Sequence, residues 1–326
     1  MTPDELRARV AGLPILPLVG APTPVERLAR LSAALRGSSR LFVKRDDAIP
    51  FGFGGNKVRK LALVAAQAKA DGADTLITAG GVQSNHARAT AATAAKLGMR
   101  AILVANGVAQ AKPSANALLD RLLGAEVVHV RTREERGPKM NEIAERIRAA
   151  GRRPFVIPIG ASTSLGAVGF ALAVAELVDQ INAPDVIVHS TSSGGTQAGL
   201  VAGCRLLGLK TRVVGVSADD SSASLQKGVQ TIVDGMADVL GVDRKLLAAG
   251  PAIEVDDSFV GGGYGVPTDA SIEAIELGAR SEALFLDPTY TAKAMAGLIA
   301  YVREGRVAND QTVLFWHTGG QVGLFA

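Results

Sequence analysis

The chain has 326 residues, 48% hydrophobic and 20% charged, with 35 Lys and Arg against 31 Asp and Glu for a net charge of +4. That composition is the globular average and excludes a disordered or low-complexity scaffold. One Trp, three Tyr and nine Phe, with no basic stripe beside them, give nucleic acid no stacking platform, and the single cysteine, Cys204, allows neither an intrachain disulfide nor a thiolate metal cage.

No apolar run reaches the ~18 residues of a membrane span, and MTPDELRARVAG places acids where a signal peptide needs bases, so a cytoplasmic protein is expected. The first helix announces itself with Thr2 as N-cap, Pro3 at its first position, and Asp4 and Glu5 at the positive end of its dipole. LPILPLVGAPTP enforces an extended arm; residues 25–36 read as a helix and residues 40–44 as a short apolar strand. After a Gly-rich turn, a helix over 57–70 leads to the buried strand DTLITAG. An Ala-rich helix over 85–97, the strand RAILVA, a helix over 116–123 and the strand EVVHVR follow. FVIPIG, a helix over 166–180, DVIVHS, a helix opening near Thr196, RVVGVSA and TVLFWHTGG extend the pattern. Strands alternating with helices of this length predict an α/β fold with parallel sheets covered on both faces. The length exceeds one sheet core, so two domains are expected, residues 58–161 forming the smaller and residues 1–57 with 162–326 the larger, with the site in the cleft between them.

Three glycine-containing turns carry the chemistry. GFGGNKVRK presents Asn56 and Lys57 at a helix N-terminus, where the dipole disfavours a cation and raises the share of neutral amine available as a nucleophile or Schiff-base partner. Taken alone, the turn reads first as one bearing a solvated lysine. It is not a Walker motif, since Val58 follows the lysine. GGVQSNHAR puts Ser84 and Asn85 at the start of a helix, which is either a carboxylate site or a plain N-cap. STSSGGTQAG offers hydroxyls and unhindered backbone N–H groups from Ser193, Gly194, Gly195 and Thr196, a cup for one phosphate or a flexible loop. A GxGxxG fingerprint is absent, which disfavours a dinucleotide, and no acid beside the glycine turns is placed for the Mg²⁺ of a phosphotransferase. No His, Cys or carboxylate set has metal-ligand spacing.

One phosphate, one reactive lysine and one carboxylate pocket describe pyridoxal 5′-phosphate and an amino acid substrate. The ordered motifs KRDD, GGNKxRK, GGxQSNHxR, SSGGTQAG, GYG, DPTY and HTGG, spanning roughly residues 14–320, resemble the family of 1-aminocyclopropane-1-carboxylate deaminase and D-cysteine desulfhydrase. The resemblance implies pyridoxal phosphate fold type II, of the tryptophan synthase β-subunit kind, with two open, twisted, mostly parallel sheets. It also implies a homodimer. It gives Lys57 the role of holding the cofactor covalently and moving the α-proton, with Asn56 beside it. Asn85 then stands beside the cofactor's 3′-oxygen, Ser84 with the backbone near His86 holds the substrate carboxylate, and residues 193–196 hold the phosphate. Tyr264, in GGGYGVP, and Tyr290, in DPTY, match tyrosines that face substrate; read without the resemblance, they are core or hinge residues.

Two departures discriminate within the family. Where the cyclopropane-opening deaminases carry a glutamate after the second tyrosine and a leucine after the C-terminal histidine, this chain has Thr291 and Thr318, as the D-cysteine desulfhydrase subgroup does. A threonine hydroxyl at the pyridine nitrogen makes a shallower electron sink than a carboxylate, which still suffices for loss of an α-proton and a β-substituent. The expected reaction is therefore β-elimination from D-cysteine to pyruvate, sulfide and ammonia. The alternatives are L-cysteate sulfo-lyase activity, deamination of 1-aminocyclopropane-1-carboxylate to 2-oxobutyrate, and a non-catalytic amino acid sensor that keeps the fold. Ser162 and Ser164 in IGASTSLGAVGF, and the bulky AIPFGF, depart from relatives near the substrate entrance and leave the leaving group open.

Overall fold

The computed structural model describes residues 1–35 and 39–326. The amino-terminal helix α1 (Pro3–Val10) closes on a capping box in which Glu5 N–H donates to Thr2 Oγ1 at 3.2 Å and Thr2 N–H donates to Glu5 Oε2 at 2.7 Å. Where a helix over 25–36 is expected, the chain instead makes strand β1 (Val25–Arg27) and the short helix α2 (Ala29–Ala34); residue 36 lies outside the described residues. The reason is tertiary. β1 pairs antiparallel with β2 (Arg40–Arg45), Val25 opposite Lys44, so an exposed sheet edge recruits three residues that helical spacing alone assigns otherwise.

The chain then alternates as expected: α3 (Asn56–Ala70), β3 (Thr75–Gly81), α4 (Asn85–Leu97), β4 (Arg100–Asn106), α5 (Ala115–Leu122), β5 (Glu126–Val130), α6 (Arg136–Ala149) and β6 (Pro154–Val156). The second half adds α7 (Ser164–Gln180), β7 (Val186–Thr191), α8 (Gly195–Leu206), β8 (Arg212–Ser217), α9 (Ser222–Leu240), α10 (Arg244–Ala248), β9 (Ile253–Asp256), α11 (Asp269–Glu282), α12 (Thr291–Arg303) and β10 (Thr312–His317). The stretch FVIPIG keeps strand structure only over Pro154–Val156 before a turn at Ile159–Ala161.

Two sheets result. One has strand order β5-β4-β3-β6, all parallel; the other has order β1-β2-β10-β7-β8-β9, parallel except for β1. The six-stranded sheet therefore gathers strands from both ends of the chain. One of its faces packs Leu31, Leu286, Ala292 and Met295 against Val43, Val188 and Phe315; the other packs Phe170 and Leu200 against Ile187, Leu314 and Trp316.

α7 and α8 cross with small residues in contact. A Cβ on Gly199 would stand 2.2 Å from the Ala167 carbonyl oxygen, and one on Gly169 would stand 2.4 Å from the Arg59 carbonyl oxygen, so α3, α7 and α8 form one close-packed layer. A buried ion cluster clamps α3 to the sheet. Arg59 Nη2 meets Asp46 Oδ1 at 2.8 Å, Arg59 Nη1 meets Glu176 Oε2 at 2.9 Å, Lys44 Nζ meets Glu176 Oε1 at 2.5 Å, and Trp316 Nε1 donates to Asp46 Oδ2 at 2.9 Å. Its two cations and two anions balance, as a buried cluster must. Among the described residues no helix is long and apolar enough to cross a membrane.

Candidate active site

Parallel strands deliver their carboxyl ends to one side of a sheet, and here the end of β4 and the segments after β3, β5, β7, β8 and β10 converge on one cavity of about 280 Å³. Lys57 lines it from the second residue of α3. Two glycines make that placement possible. Gly55, at φ +95°, lies so close to Thr318 that a Cβ would stand 2.9 Å from the Thr318 carbonyl oxygen, and a Cβ on Gly319 would stand 2.6 Å from Gly55 Cα. The backbones of the first turn and the HTGG turn thus touch, and Asn56 N–H donates to the Thr318 carbonyl at 3.0 Å. Burial pulls the Lys57 amine down to about 8, aided by the Arg88 charge and opposed by Asp287, so desolvation leads where helix position alone was expected to act. Lys57 Nζ donates to Asn56 Oδ1 at 3.1 Å.

The STSSGGTQAG turn opens α8 through Gly194, left-handed at φ +78°, with no side chain capping the helix. The Gly195 N–H is taken by Ser193 and Ser162, but those of Thr196 and Gln197 have no protein acceptor among the described residues and can meet an anion. Asn56 Nδ2 donates to Thr196 Oγ1 at 2.9 Å, which leaves the threonine proton free to donate in turn. Beneath the turn, Ser162 Oγ donates to Ser193 Oγ at 2.8 Å and accepts from Gly195 N–H at 3.2 Å. Ser162 also accepts from Lys60 Nζ at 3.4 Å, the sole hydrogen bond of that fully buried side chain among the described residues. Burial and the neighbouring Lys57 charge hold the Lys60 pKa well below its ordinary value. A buried lysine with one long hydrogen bond, below an uncapped helix start lined by hydroxyls, makes a cradle whose donors suit a phosphate dianion. Sequence reasoning passed over Lys60, although its position three residues after Lys57 places both on one helix face.

Across the cavity, Ser84 caps α4 by accepting from Ala87 N–H at 3.2 Å. Asn85 Oδ1 accepts from Asn116 Nδ2 at 2.9 Å, so the Asn85 amide hydrogens are the ones turned elsewhere. Asn116 is fully buried and also accepts from Arg88 Nε at 3.1 Å; no local pattern marks it, because its partners lie 28 and more residues away. His86 is buried and lines the cavity. Thr78 Oγ1 donates to the Ile157 carbonyl at 2.8 Å, so the His86 Nε2 that meets it at 2.8 Å carries the proton, leaving Nδ1 a bare acceptor. Burial keeps this imidazole neutral, its pKa well below the usual value.

Tyr264 and Tyr290 lie hydroxyl to hydroxyl at 2.5 Å, rings edge to face with centroids 5.7 Å apart. Burial raises the Tyr290 phenol well above its ordinary pKa, so it stands as a proton donor. Asp287, in DPTY, accepts from the backbone N–H groups of Thr289, Tyr290 and Thr291 at 2.9–3.0 Å and so fixes the start of α12 beneath Tyr290. The cavity is lined by Asn56, Lys57, Ser84, Asn85, His86, Ser193, Gly194, Thr196, Tyr264, Tyr290 and Thr318. Gly195 lies just behind it. Thr291 is also outside the lining: fully buried, its hydroxyl donates to Asp287 Oδ1 at 2.7 Å and accepts from Asp287 N–H at 2.8 Å. Thr318 reaches the cavity and its Oγ1 meets Ser190 Oγ at 2.9 Å.

The fold and this site define a pyridoxal phosphate enzyme of fold type II, and the comparisons agree. Residues 16–319 match the family described as "Pyridoxal-phosphate dependent enzyme", to which the chain belongs. It is 40% identical over 321 residues to the D-cysteine desulfhydrases of Salmonella newport (strain SL254) and Salmonella heidelberg (strain SL476), covering 96% of each chain. The crystal structure of an ACC deaminase homologue superposes with a TM-score of 0.91 at 35% identity, covering 98% of this chain and 96% of that one. Threonine deaminase isoform 2 from Solanum lycopersicum, at 19% identity and TM-score 0.69 over 97% of this chain and 85% of that one, shares the fold.

Proposed function

We propose that this chain is a β-eliminating lyase that converts D-cysteine and water to pyruvate, sulfide and ammonia. The observation that carries the reading is the facing pair in one cavity: a lysine amine lowered to about 8 and, across from it, a helix start capped by Ser84. Threonines rather than a glutamate and a leucine at positions 291 and 318, together with near full-length similarity to D-cysteine desulfhydrases, support the substrate.

When bound, pyridoxal 5′-phosphate supplies an electron sink for the pair left on the α-carbon. The residues do the rest. Thr196, Ser193 and the open N–H groups at the start of α8 would hold the phosphate, with Lys60 beneath to supply a counter-charge. The N–H groups following Ser84 hold the substrate carboxylate, so that the α-hydrogen faces Lys57, whose neutral amine takes the proton. Asn85, its amide hydrogens turned away from Asn116, would donate to the ring oxygen, and Thr318 would offer a hydroxyl to the ring nitrogen. The Tyr290 hydroxyl, relayed through Tyr264, donates to the departing sulfur as the bond from carbon breaks. We assign residues 58–161 as a smaller domain that closes over the rest of the chain, residues 1–57 and 162–326.

We infer that the enzyme works in the cytoplasm as a homodimer; a chain with one cysteine, and so no intrachain disulfide, fits a reducing compartment, and sedimentation tests the dimer. Pyruvate measured from D-cysteine, L-cysteine, L-cysteate and D-serine tests the reaction. If none yields pyruvate while 1-aminocyclopropane-1-carboxylate gives 2-oxobutyrate, the reading yields to the deaminase, an outcome favoured by the likeness to an ACC deaminase homologue.

A further inference from the structure

Tyr264, which stands against the Tyr290 hydroxyl, belongs to no helix or strand. Residues 257–268 lie between β9 and α11, and Gly261, Gly263 and Gly265 stand there at φ +63°, +118° and +75°. The backbone hydrogen bonds that this segment makes within itself are long. Val260 N–H reaches the Asp257 carbonyl at 3.3 Å, Gly263 N–H the Val260 carbonyl at 3.4 Å and Val266 N–H the Gly263 carbonyl at 3.2 Å. Glycine-rich backbone so weakly bonded does not hold one conformation by itself.

A buried lysine holds it from outside. Lys293 lies on α12, fully buried, and its Nζ donates to the Val260 carbonyl at 2.7 Å, the Gly263 carbonyl at 2.8 Å and the Ala218 carbonyl at 3.3 Å. All three partners are backbone oxygens, and Asp219 and Asp287 act on its charge only through space. Burying an ammonium is unfavourable unless every donor it carries finds an acceptor, and here three donors meet three carbonyls. Carbonyl oxygens gathered about one cation are also how proteins replace the water around a bare monovalent ion. Lys293 gives such a nest a cation fixed to a helix. Tyr290 is the N-cap of that helix, and Gly263 immediately precedes Tyr264. Ala218 precedes Asp219, which pairs at 3.0 Å with Arg133, and Arg133 lies 5.8 Å from the centre of the Tyr264 ring. One ammonium therefore joins the tyrosine's own segment, the loop after β8 and the start of α12.

We propose that Lys293 is a positioning residue, a tethered monovalent cation that holds Tyr264 against Tyr290 so that the departing sulfur receives its proton. The inference rests on the β-elimination reading and deepens it. When the bond from Cβ to sulfur breaks, the electron pair goes to sulfur, which takes the phenolic proton, and solvent returns one to the tyrosine. A chloride leaving the same carbon takes the electron pair and needs no proton.

Two arms test this. In the first, pyruvate formation from D-cysteine is measured against β-chloro-D-alanine for wild type, Lys293→Met, which keeps the apolar stem, and Lys293→Ala, which leaves room for a free cation. A positioned acid contributes about 10²- to 10⁴-fold in rate, so the D-cysteine to β-chloro-D-alanine ratio of kcat/KM falls by at least about tenfold in both variants. A general loss of folded protein lowers both substrates alike. Methylammonium chloride raises the ratio several-fold in Lys293→Ala, tetramethylammonium chloride at the same ionic strength does not, and wild type responds to neither. A ratio within twofold of wild type in either folded variant, or equal effects of the two salts, overturns the proposal. In the second arm, hydrogen exchange on the cofactor-loaded proteins follows the backbone N–H groups of residues 259–266. Exchange there quickens by about tenfold in Lys293→Met and stays as in wild type over α9; no change at residues 259–266 overturns the proposal. Should wild type give no pyruvate from either compound, the elimination reading fails, and the exchange still decides whether Lys293 holds the segment.

Discussion

Replacing Asp46 by asparagine probes the clamp that holds the start of α3, and with it Lys57. Asp46 is fully buried and its carboxylate accepts from Thr23 Oγ1 at 3.0 Å, Arg59 Nε at 3.0 Å, Arg59 Nη2 at 2.8 Å and Trp316 Nε1 at 2.9 Å. Asp46→Asn keeps the shape but removes the charge and turns an amide N–H₂ toward donors, leaving Lys44 and Arg59 facing Glu176 alone. Breaking one side of a buried pair costs about 3–5 kcal/mol, and the lower end applies because Glu176 still meets Arg59 at 2.9 Å. For 326 residues the unfolding entropy is about 0.7 kcal/mol/K, so ~3 kcal/mol lowers the melting temperature by about 4 °C. The assay is a thermal melt of the cofactor-loaded protein, with Asp4→Asn as the reference. Asp4 pairs with Arg7 at 2.7 Å on the surface, its side chain 91% exposed, and its loss moves the melt by about 1 °C at most. Because Arg59 is two residues from Lys57 and Trp316 two before Thr318, the same substitution also weakens retention of the cofactor, seen as loss of its near-visible absorption on dialysis. A melt within 1 °C of wild type would refute the argument that this cluster anchors the site.

Two further outcomes follow from burial. The Lys57 amine, lowered to about 8, is neutral above that pH and protonated below it, so kcat for elimination falls about tenfold per pH unit below pH 8; Lys57→Ala abolishes both turnover and the cofactor's near-visible band, and a flat profile from pH 6 to 8 would contradict the assignment. Asp120 is 5% exposed, its Oδ1 has no partner, and burial lifts its carboxyl from 3.8 to about 7 against the pull of Arg88. The native state then holds a proton that the unfolded chain releases between about pH 4 and 7, so stability declines across that window and stays low above it. Asp120→Asn removes the penalty, worth up to about 4 kcal/mol at pH 8 and nothing near pH 4. Calorimetric melts at the two pH values check this, and an equal shift at both would refute it.

Much of the site was legible because its signals are local. A glycine turn before a helix, a serine or threonine at a cap and a lysine at a helix start each need only a few consecutive residues, and Ser84, Asn85, Lys57 and the 193–196 turn stand where those signals put them. Elements whose identity depends on distant partners escaped. Residues 25–27 became a strand because β2 offered an edge, and Lys293, Asn116 and Asp287 matter through contacts made across strands or loops. Thr291 and Thr318 look alike in sequence, yet one hydroxyl is engaged by Asp287 and the other reaches the cavity.

The sequence by itself determined the α/β alternation, through periodicity and capping that act over a few residues, and the family, through motifs that recur in order along the chain. Only the tertiary structure decided which charges are buried and unpaired. Desolvation is a property of everything packed around a group, and the fold alone sets whether Lys57, Lys60 and Lys293 meet water, a carboxylate, a backbone carbonyl or an open cavity.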